Sequence, residues 1–511
     1  MLKDSAQLVA KARTFGQRLL TPDNILSHRV VHAGFWAFSL RIADRLFGLA
    51  RTIILARLLS PMEFGLFGIA ALALSALEAF SQIGFQSALI QKKGDVKPYL
   101  DTAWTVQVLR GFALAGILAA SAPMVAGFFN EPRAVMLLRV LALSELVKGF
   151  TNIGVLFFQK ELEFHKQFVY MLSGTLADFG VAVTAAVLMR NAWALAFGLL
   201  ARSAAQVLAS YFLHPYRPKP RLHTSLAREM YGFGRWIMAT NIVVFLITKG
   251  ANAVVGKVLG ASALGLYQMA FLFSNLMATE ITHVLSQVTF PAYSALQDNF
   301  ASLKRAFLQT LEVTLALSLP LSVGIVMLSP EFVHLFLGKA WTPMVPALRI
   351  LTVSGLIRSV LAVGGPLFKG VGRPELDFWM NALRLGSMAL LIYPLTKYYG
   401  LEGTAIAVAF GSFVALPIWW FASQRITRAG YRAILWSFLP SVAGTAIMCV
   451  VIVLAKTLSD VSTLADFILA AAPGVVACTS AYFVLWKRFG IGPFRALELH
   501  EYGGDKQHGR G

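Results

Sequence analysis

The sequence predicts an all-α protein that crosses a membrane many times, and three observations lead to that prediction. Only 14% of the 511 residues are charged, and 57% are hydrophobic without counting the 41 glycines. A soluble chain of this length would need a hydrophobic core larger than single domains build. The apolar residues also form runs of about 20 residues, which is the length that a helix needs to cross a bilayer.

Fourteen such runs are predicted to be transmembrane helices. They lie at about 33–57, 64–90, 102–128, 134–158, 168–189, 192–213, 231–256, 262–292, 306–328, 343–368, 375–396, 401–423, 433–455 and 466–486. They account for most of the hydrophobic residues, so no separate soluble domain is expected. The predicted order is a cytoplasmic tail, a six-helix bundle, a cytoplasmic linker, a second six-helix bundle, an additional helix pair and a second cytoplasmic tail. Their bounds are 1–32, 33–213, 214–230, 231–424, 433–486 and 487–511, and residues 5–20 are either an interfacial helix or a frayed tail.

An internal repeat relates the two predicted bundles. The segment RLLSPMEFGLFGIA at 57–70 aligns with KVLGASALGLYQMA at 257–270, and LRVLALSELVKGF at 138–150 aligns with LRILTVSGLIRSV at 348–360. Six predicted spans separate the copies, so both copies enter the membrane in the same direction. Parallel repeats of this kind relate the two halves of several alternating-access transporters.

The positions of lysine and arginine predict the orientation of the chain. Most of them fall in the tails and in alternate loops, whereas the opposite loops hold only Arg57, Arg133, Arg190, Lys257, Lys339, Lys397 and Lys456. By the positive-inside rule, both termini are predicted to lie in the cytoplasm. Nucleic acid is not an expected partner despite the net charge of +20, because no soluble basic domain exists to bind it.

Seventeen charged residues fall inside the predicted spans. The basic ones are Arg41, Arg45, Arg51, Arg110, Arg139, Lys148, Arg202, Lys249, Arg349, Arg358 and Arg384, and the acidic ones are Asp44, Glu78, Glu145, Asp178, Glu280 and Glu312. Each would cost about 3 kcal/mol if it faced lipid at the bilayer centre, so most must face protein or water. Those near span ends, such as Arg51, Arg139 and Arg349, are expected to reach the interface instead.

The surplus of basic over acidic residues predicts a cationic cavity between the two bundles. On the first span, Arg41, Asp44 and Arg45 share one helix face with Arg51. The planar guanidinium group binds phosphate oxygens at two points, so phosphate or pyrophosphate is the expected cargo. The predicted substrate-binding residues are Arg41, Arg45, Arg110, Lys148, Arg202, Lys249 and Arg358. For any single charge, an interhelical ion pair is an equally good interpretation, and Glu145 and Lys148 are spaced for a local pair.

Acidic residues and one histidine in the spans are candidates for the acidic lining of the cavity or for ion coupling. They are Asp44, Glu78, Asp178, Glu280 and His283. The sequence has no Walker lysine motif, no zinc-type histidine cluster and no GxSxG elbow. It therefore predicts a transporter that is not an enzyme and has no cofactor or metal. Two alternatives remain open, namely a cation-coupled multidrug exporter and a membrane-embedded glycan polymerase or ligase.

Three segments resemble the polysaccharide transporter family, the Wzx-type flippases of the multidrug/oligosaccharidyl-lipid/polysaccharide exporter superfamily. They are ARLLSPMEFGLFGIA at 56–70, IGFQSALIQKKGD at 83–95 and FQKELEFHKQF at 158–168, and the resemblance runs from about residue 30 to 430. It implies a V-shaped pair of bundles around a central cationic cavity, with basic residues on the first helix in the region of Arg41 and Arg45. The quoted motifs lie in turns, so no single functional residue is transferred from the family.

The same resemblance implies a function and partners. Such proteins move undecaprenyl-pyrophosphate-linked oligosaccharide repeat units across the bacterial inner membrane by alternating access, for exopolysaccharide, capsule or O-antigen (lipopolysaccharide) synthesis. The implied partners are this lipid-linked anionic oligosaccharide, membrane lipids, and a polysaccharide polymerase with its chain-length regulator. The protein is expected to be a monomer.

Overall fold

The computed structural model describes residues 26–81, 89, 96–161, 163–458 and 463–489. All regular structure within these residues is helical. The helices are α1 Leu26–Leu58, α2 Pro61–Ser81, α3 Lys97–Phe129, α4 Ala134–Gly149, α5 Leu156–Lys160, α6 Phe164–Met189, α7 Trp193–Leu213, α8 Thr224–Ala295, α9 Phe300–Phe332, α10 Val345–Gly370, α11 Pro374–Val414, α12 Leu416–Thr427, α13 Tyr431–Trp436, α14 Leu439–Leu458 and α15 Leu464–Phe489. Two 3-10 helices, Ile153–Val155 and Lys339–Met344, and a π-helical turn, Val333–Leu337, complete the order.

Every predicted span overlaps one of these helices, and the all-α multi-pass architecture is confirmed. Ten helical stretches of the described residues are long and apolar enough to cross a membrane, and a bent pair, Ala134–Gly149 with Ile153–Lys160, would make an eleventh. Helix α1 is not among the ten, because its middle carries several charged residues. The total of fourteen crossings stays a prediction.

Two of the long helices contain a break where two predicted spans meet. Gly260 in α8 has φ 85° and Gly400 in α11 has φ 59°, and both lie outside helical geometry. Residues that carry a Cβ atom rarely adopt positive φ, so glycine is the residue that allows the chain to turn there without strain. Each of these helices therefore consists of two segments.

The predicted tails and linker are partly helical. Helix α1 begins at Leu26, inside the predicted N-terminal tail, and α8 begins at Thr224, inside the predicted linker. The proposed helix at 5–20 lies outside the described residues. Residues 214–223 form an extended strap along the start of α3, where the Lys219 N–H donates to Asp101 at 2.9 Å and the Arg221 N–H donates to Thr105 at 3.0 Å.

The internal repeat of the sequence has a structural counterpart. The Ser144 and Ser203 hydroxyls are 2.9 Å apart between α4 and α7, and the Ser354 and Ser412 hydroxyls are 3.1 Å apart between α10 and α11. The aligned positions 144 and 354 thus make the same contact in each copy. The break at Gly400 likewise corresponds to the turn at Arg190, which also has positive φ.

The chain folds into two compact units, Met1–Gly250 and Ala251–Gly511. In the first unit, one apolar cluster joins α1 to α6 and α7 through Leu55, Ala182 and Leu195. A second cluster lies where α3 begins, around Leu100 and Leu156. Both clusters consist of side chains that are almost fully buried, so these helices hold fixed positions within the unit.

In the second unit, one apolar cluster packs Phe307 of α9 against Phe368 of α10 and Trp419 of α12. The predicted additional helix pair, α14 and α15, packs against α9. There the Tyr482 hydroxyl donates to the Ala316 carbonyl at 3.2 Å, and Lys456 lies 2.5 Å from Glu331. The bounds of the two predicted bundles and of the pair stay a prediction.

Candidate functional site

The first unit contains a cluster of four charged side chains from three helices, which we call the Asp178 cluster. Its members are Asp44 and Arg51 of α1, Asp178 of α6 and Arg202 of α7. The Arg51 guanidinium lies 2.9 Å from Asp178, whereas Arg202 lies 3.7 Å from Asp44 and 4.0 Å from Asp178. The Thr175 hydroxyl donates to Asp44 at 2.6 Å. Arg51 therefore forms a close ion pair with Asp178, whereas Arg202 lies at longer distances from two carboxylates.

The close approach of α7 to Asp178 depends on Gly198. A Cβ atom at Gly198 would lie 2.4 Å from Oδ1 of Asp178 and 2.7 Å from the Cβ of Ala182. Small residues let helices pack closely within a membrane, where no hydrophobic force between helices is available. The glycine therefore allows α7 to present Arg202 beside the carboxylates of α1 and α6.

A second group of charges, which we call the Lys148 cluster, joins α2, α3 and α4. The Lys148 ammonium pairs with Glu78 and lies 3.4 Å from Glu145. Arg110 donates to the Ser81 hydroxyl at 3.0 Å and 3.2 Å through two of its nitrogens. The predicted pair of Glu145 with Lys148 is confirmed. Lys148 thus has two carboxylate partners, and one of them, Glu145, is almost fully buried.

The structure brings together some of the predicted site residues and separates others. Asp44, Asp178 and Arg202 meet in one cluster, and Glu78, Arg110 and Lys148 meet in the other. Arg41 and Arg45 lie half-buried on α1, on either side of Asp44 in sequence, and Lys249 is exposed on α8. The side chains of Glu280 and His283 lie outside the described residues.

Arg51 corrects one expectation. The sequence placed it near a span end, where it was expected to reach the interface, but it forms an ion pair with Asp178 and its side chain is only 19% exposed. The sequence did indicate that Arg51 faces the protein, because it shares a helix face with Arg41, Asp44 and Arg45. What the sequence lacked was the identity of the carboxylate on another helix.

The predicted residue Arg358 lies in the second unit, on α10. Its guanidinium donates to the side-chain oxygen of Asn275 on α8. Among the described residues, no group of three or more histidine, cysteine or acidic side chains is placed to hold a metal ion.

These features define the class of the protein. Its fold is all-α and multi-pass, and it holds charged side chains between its helices. It closely matches a solved structure of the lipid II flippase MurJ in an inward closed conformation, with a TM-score of 0.71 over 88% of this chain and 99% of that chain. The identity to MurJ is 15%, so the likeness concerns the fold. The class that this fold defines is that of multi-pass, all-α membrane proteins.

The chain belongs to the family described as polysaccharide biosynthesis protein, whose model matches residues 54–346. It is 28% identical over 366 residues to the lipopolysaccharide biosynthesis protein WzxC of Escherichia coli (strain K12), covering 71% of this chain and 74% of that protein. It is 24% identical over 381 residues to the succinoglycan biosynthesis transport protein ExoT of Rhizobium meliloti (strain 1021), covering 74% of each. The family predicted from the sequence motifs is confirmed.

Proposed function

We propose that this protein flips undecaprenyl-pyrophosphate-linked oligosaccharide repeat units across the bacterial inner membrane. The repeat units would serve the synthesis of a cell-surface polysaccharide. The similarity to the lipopolysaccharide biosynthesis protein WzxC and the succinoglycan biosynthesis transport protein ExoT supports this substrate class. Transport would proceed by alternating access, with the charged helices of the first unit exposed first to one side of the membrane and then to the other.

The observation that carries the proposal is that Arg202 forms only long-distance ion pairs with its two carboxylate neighbours. At 3.7 Å and 4.0 Å, its distances to Asp44 and Asp178 exceed those of charge-assisted hydrogen bonds, which are about 2.7–2.9 Å. Its side chain is 30% exposed. A pyrophosphate oxygen would therefore gain a two-point contact with this guanidinium without breaking a close ion pair.

Arg41 and Arg45 complete the proposed site. They stand one turn apart on the face of α1 that carries Asp44, so a diphosphate that contacts Arg202 beside Asp44 lies within reach of both. Arg51 and Lys148 have close carboxylate partners. We assign to them the role of holding α1 to α6 and α2 to α4.

The second unit by itself contains a candidate binding site for an apolar chain. A cavity of about 520 Å³ lies between α9 and the pair α14 and α15, and its lining is almost entirely apolar. The lining side chains include Leu317, Leu321, Met448 and Val475. A prenyl chain would bury its methyl groups there without exposing a polar group of the protein.

The proposal is tested by replacing the arginines in a strain whose only copy is the plasmid-borne gene. The Arg41→Ala/Arg45→Ala double variant is expected to lower surface polysaccharide by about tenfold or more, because charge-assisted hydrogen bonds contribute roughly 1.5–3 kcal/mol each. Arg202→Lys keeps the charge but loses the planar fork, so a partial loss is expected. Lipid-linked repeat units should accumulate on the cytoplasmic side in both variants.

The matched control is Arg133→Ala. Arg133 also forms an ion pair with a carboxylate of the first unit, 2.7 Å from Glu63, but its side chain is 56% exposed and it lies outside both charge clusters. This variant should export normally. Normal export by the Arg41→Ala/Arg45→Ala variant, at a normal amount of protein in the membrane, would overturn the assignment of the site.

A further inference from the structure

The second unit contains basic side chains whose surroundings differ from those of the first unit. The charge of Arg358 on α10 acts on Arg384 of α11, and both arginines act on the hydroxyl of Tyr267 on α8. Two guanidinium groups and a phenol from three helices therefore lie in the same region of the unit.

Neither arginine has a carboxylate partner among the described residues. Arg358 donates to the Asn275 oxygen, which is a neutral acceptor, and Nε of Arg384 is buried without a hydrogen-bond partner. A guanidinium group does not lose its proton in proteins, so these charges cannot be removed by titration. Two like charges placed together in a poorly solvated region destabilise the fold unless an anion balances them.

The hydroxyl of Tyr267 is an independent sign of a ligand. Tyr267 is 1% exposed, and within the described part of the chain its hydroxyl has no hydrogen-bond partner. Buried tyrosine hydroxyls normally find a partner. The neighbouring guanidinium groups are donors only, so they cannot accept the Tyr267 O–H, and its proton needs an acceptor from elsewhere.

The internal repeat allows a direct comparison of Arg358 with its counterpart in the first unit. Lys148 in the first unit and Arg358 in the second stand at aligned positions, each four residues after the aligned serines Ser144 and Ser354. Lys148 has two carboxylate partners, whereas Arg358 has an amide. The amide is itself fixed, because its nitrogen donates to the Phe271 carbonyl at 2.8 Å, so its oxygen points to Arg358.

We propose that Arg358, Arg384 and Tyr267 form a binding site for a phosphate-type oxyanion within the second unit. Each guanidinium group offers two parallel N–H donors to the oxygens of such an anion, and Tyr267 adds an O–H donor. Inorganic phosphate and the head group of a prenyl diphosphate share this chemistry. The inference does not rest on the proposed function, because it uses none of the charges of the first unit.

The test measures the melting temperature of the purified protein in detergent against phosphate concentration, with sodium chloride at equal ionic strength as the reference. Phosphate is expected to raise the melting temperature of the wild type, since a ligand that binds only the folded state stabilises it. Arg384→Gln should weaken the apparent affinity by about tenfold or more, and Tyr267→Phe by a smaller factor. Farnesyl diphosphate is tested in parallel with farnesol, and stabilisation by the diphosphate alone would assign the oxyanion to a lipid head group.

The matched control is Tyr293→Phe. Tyr293 is also fully buried in the second unit, but no arginine acts on its hydroxyl, so this variant should keep the full response to phosphate. Arg384→Gln should melt no lower than the wild type when only chloride is present, because it removes an unpaired charge. A wild type without a response to either phosphate or the diphosphate, a response that chloride reproduces, or one that survives both Arg384→Gln and Tyr267→Phe would overturn the proposal.

Discussion

Single charged side chains within the helices of this protein differ mainly in their partners. Arg51 is held by Asp178, Arg202 is shared loosely by two carboxylates, and Arg358 contacts a neutral amide. In the sequence all three are basic residues within apolar runs. Because a buried charge is costly without a partner, the partner decides whether an arginine stabilises the fold or is available to an anion.

His214 follows α7, and the structure predicts that the stability of the protein depends on pH through this residue. Its ring stacks on Phe157, and its Nδ1 accepts a hydrogen bond from the Tyr216 N–H at 3.1 Å. Burial lowers the pKa of His214, with a further contribution from the positive charge of Lys166 and opposing ones from Glu163 and Glu161. The folded state therefore favours the neutral imidazole.

Acidification is expected to destabilise the protein through this residue. A histidine whose folded pKa is lowered contributes its full stabilisation above its unfolded pKa of about 6.5 and loses it as the pH falls through the folded value. The melting temperature of the wild type should therefore fall more steeply than that of His214→Gln between about pH 7 and 5. His223→Gln, at an exposed position of the same connection, should behave like the wild type, and identical slopes for the wild type and His214→Gln would contradict the assignment.

At the level of helices, the first unit depends on a close contact between α3 and α4. A Cβ atom at Gly111 would lie 3.0 Å from the Cα of Gly149, and one at Gly149 would lie 3.2 Å from the Cα of Gly111. Gln107 of α3 reinforces the contact by donating to the Gly149 and Thr151 carbonyls at 3.0 Å and 2.9 Å. This contact positions Arg110 and Lys148 on neighbouring helices.

Gly111→Val is expected to destabilise the protein by about 1–3 kcal/mol, because the added side chain forces the two backbones apart. Gly116→Val on the same helix is the control, since a Cβ atom there would meet nothing within 4 Å. Thermal unfolding of both variants in detergent measures the difference. Equal melting temperatures would show that α3 and α4 do not pack at Gly111.

For the chain as a whole, orientation in the membrane is still a prediction from the distribution of lysine and arginine. Green fluorescent protein fused after Gly511 should fluoresce, because it would remain in the cytoplasm. Alkaline phosphatase fused after Asn191, beside the turn at Arg190, should be active on the other side of the membrane. A phosphatase fusion after Lys219 is the control and should be inactive, and the reverse pattern at 191 and 219 would show the opposite orientation.

The sequence by itself determined the class, the helices and the family. Apolar runs of spanning length predict membrane helices, because the backbone N–H and C=O groups find hydrogen-bond partners in a bilayer only within a helix or a closed barrel. The repeat at 57–70 and 257–270 predicts two related halves. The break at Gly400 also falls between two predicted spans. Glycine at this position permits the positive φ that the turn requires. The spans and the break are properties of neighbouring residues, and the repeat is a match between two such stretches, so a sequence displays all of them directly.

Only the tertiary structure decided which charges are neutralised. Asp178 meets Arg51 and Arg202 across three helices, Lys148 meets Glu78 across two, and Arg358 and Arg384 meet no described carboxylate. Ion pairs between helices depend on distances of a few ångströms between residues far apart in the chain. A count of charges within spans cannot supply those distances, so the sequence predicted a cationic interior without showing which guanidinium groups remain available to an anion.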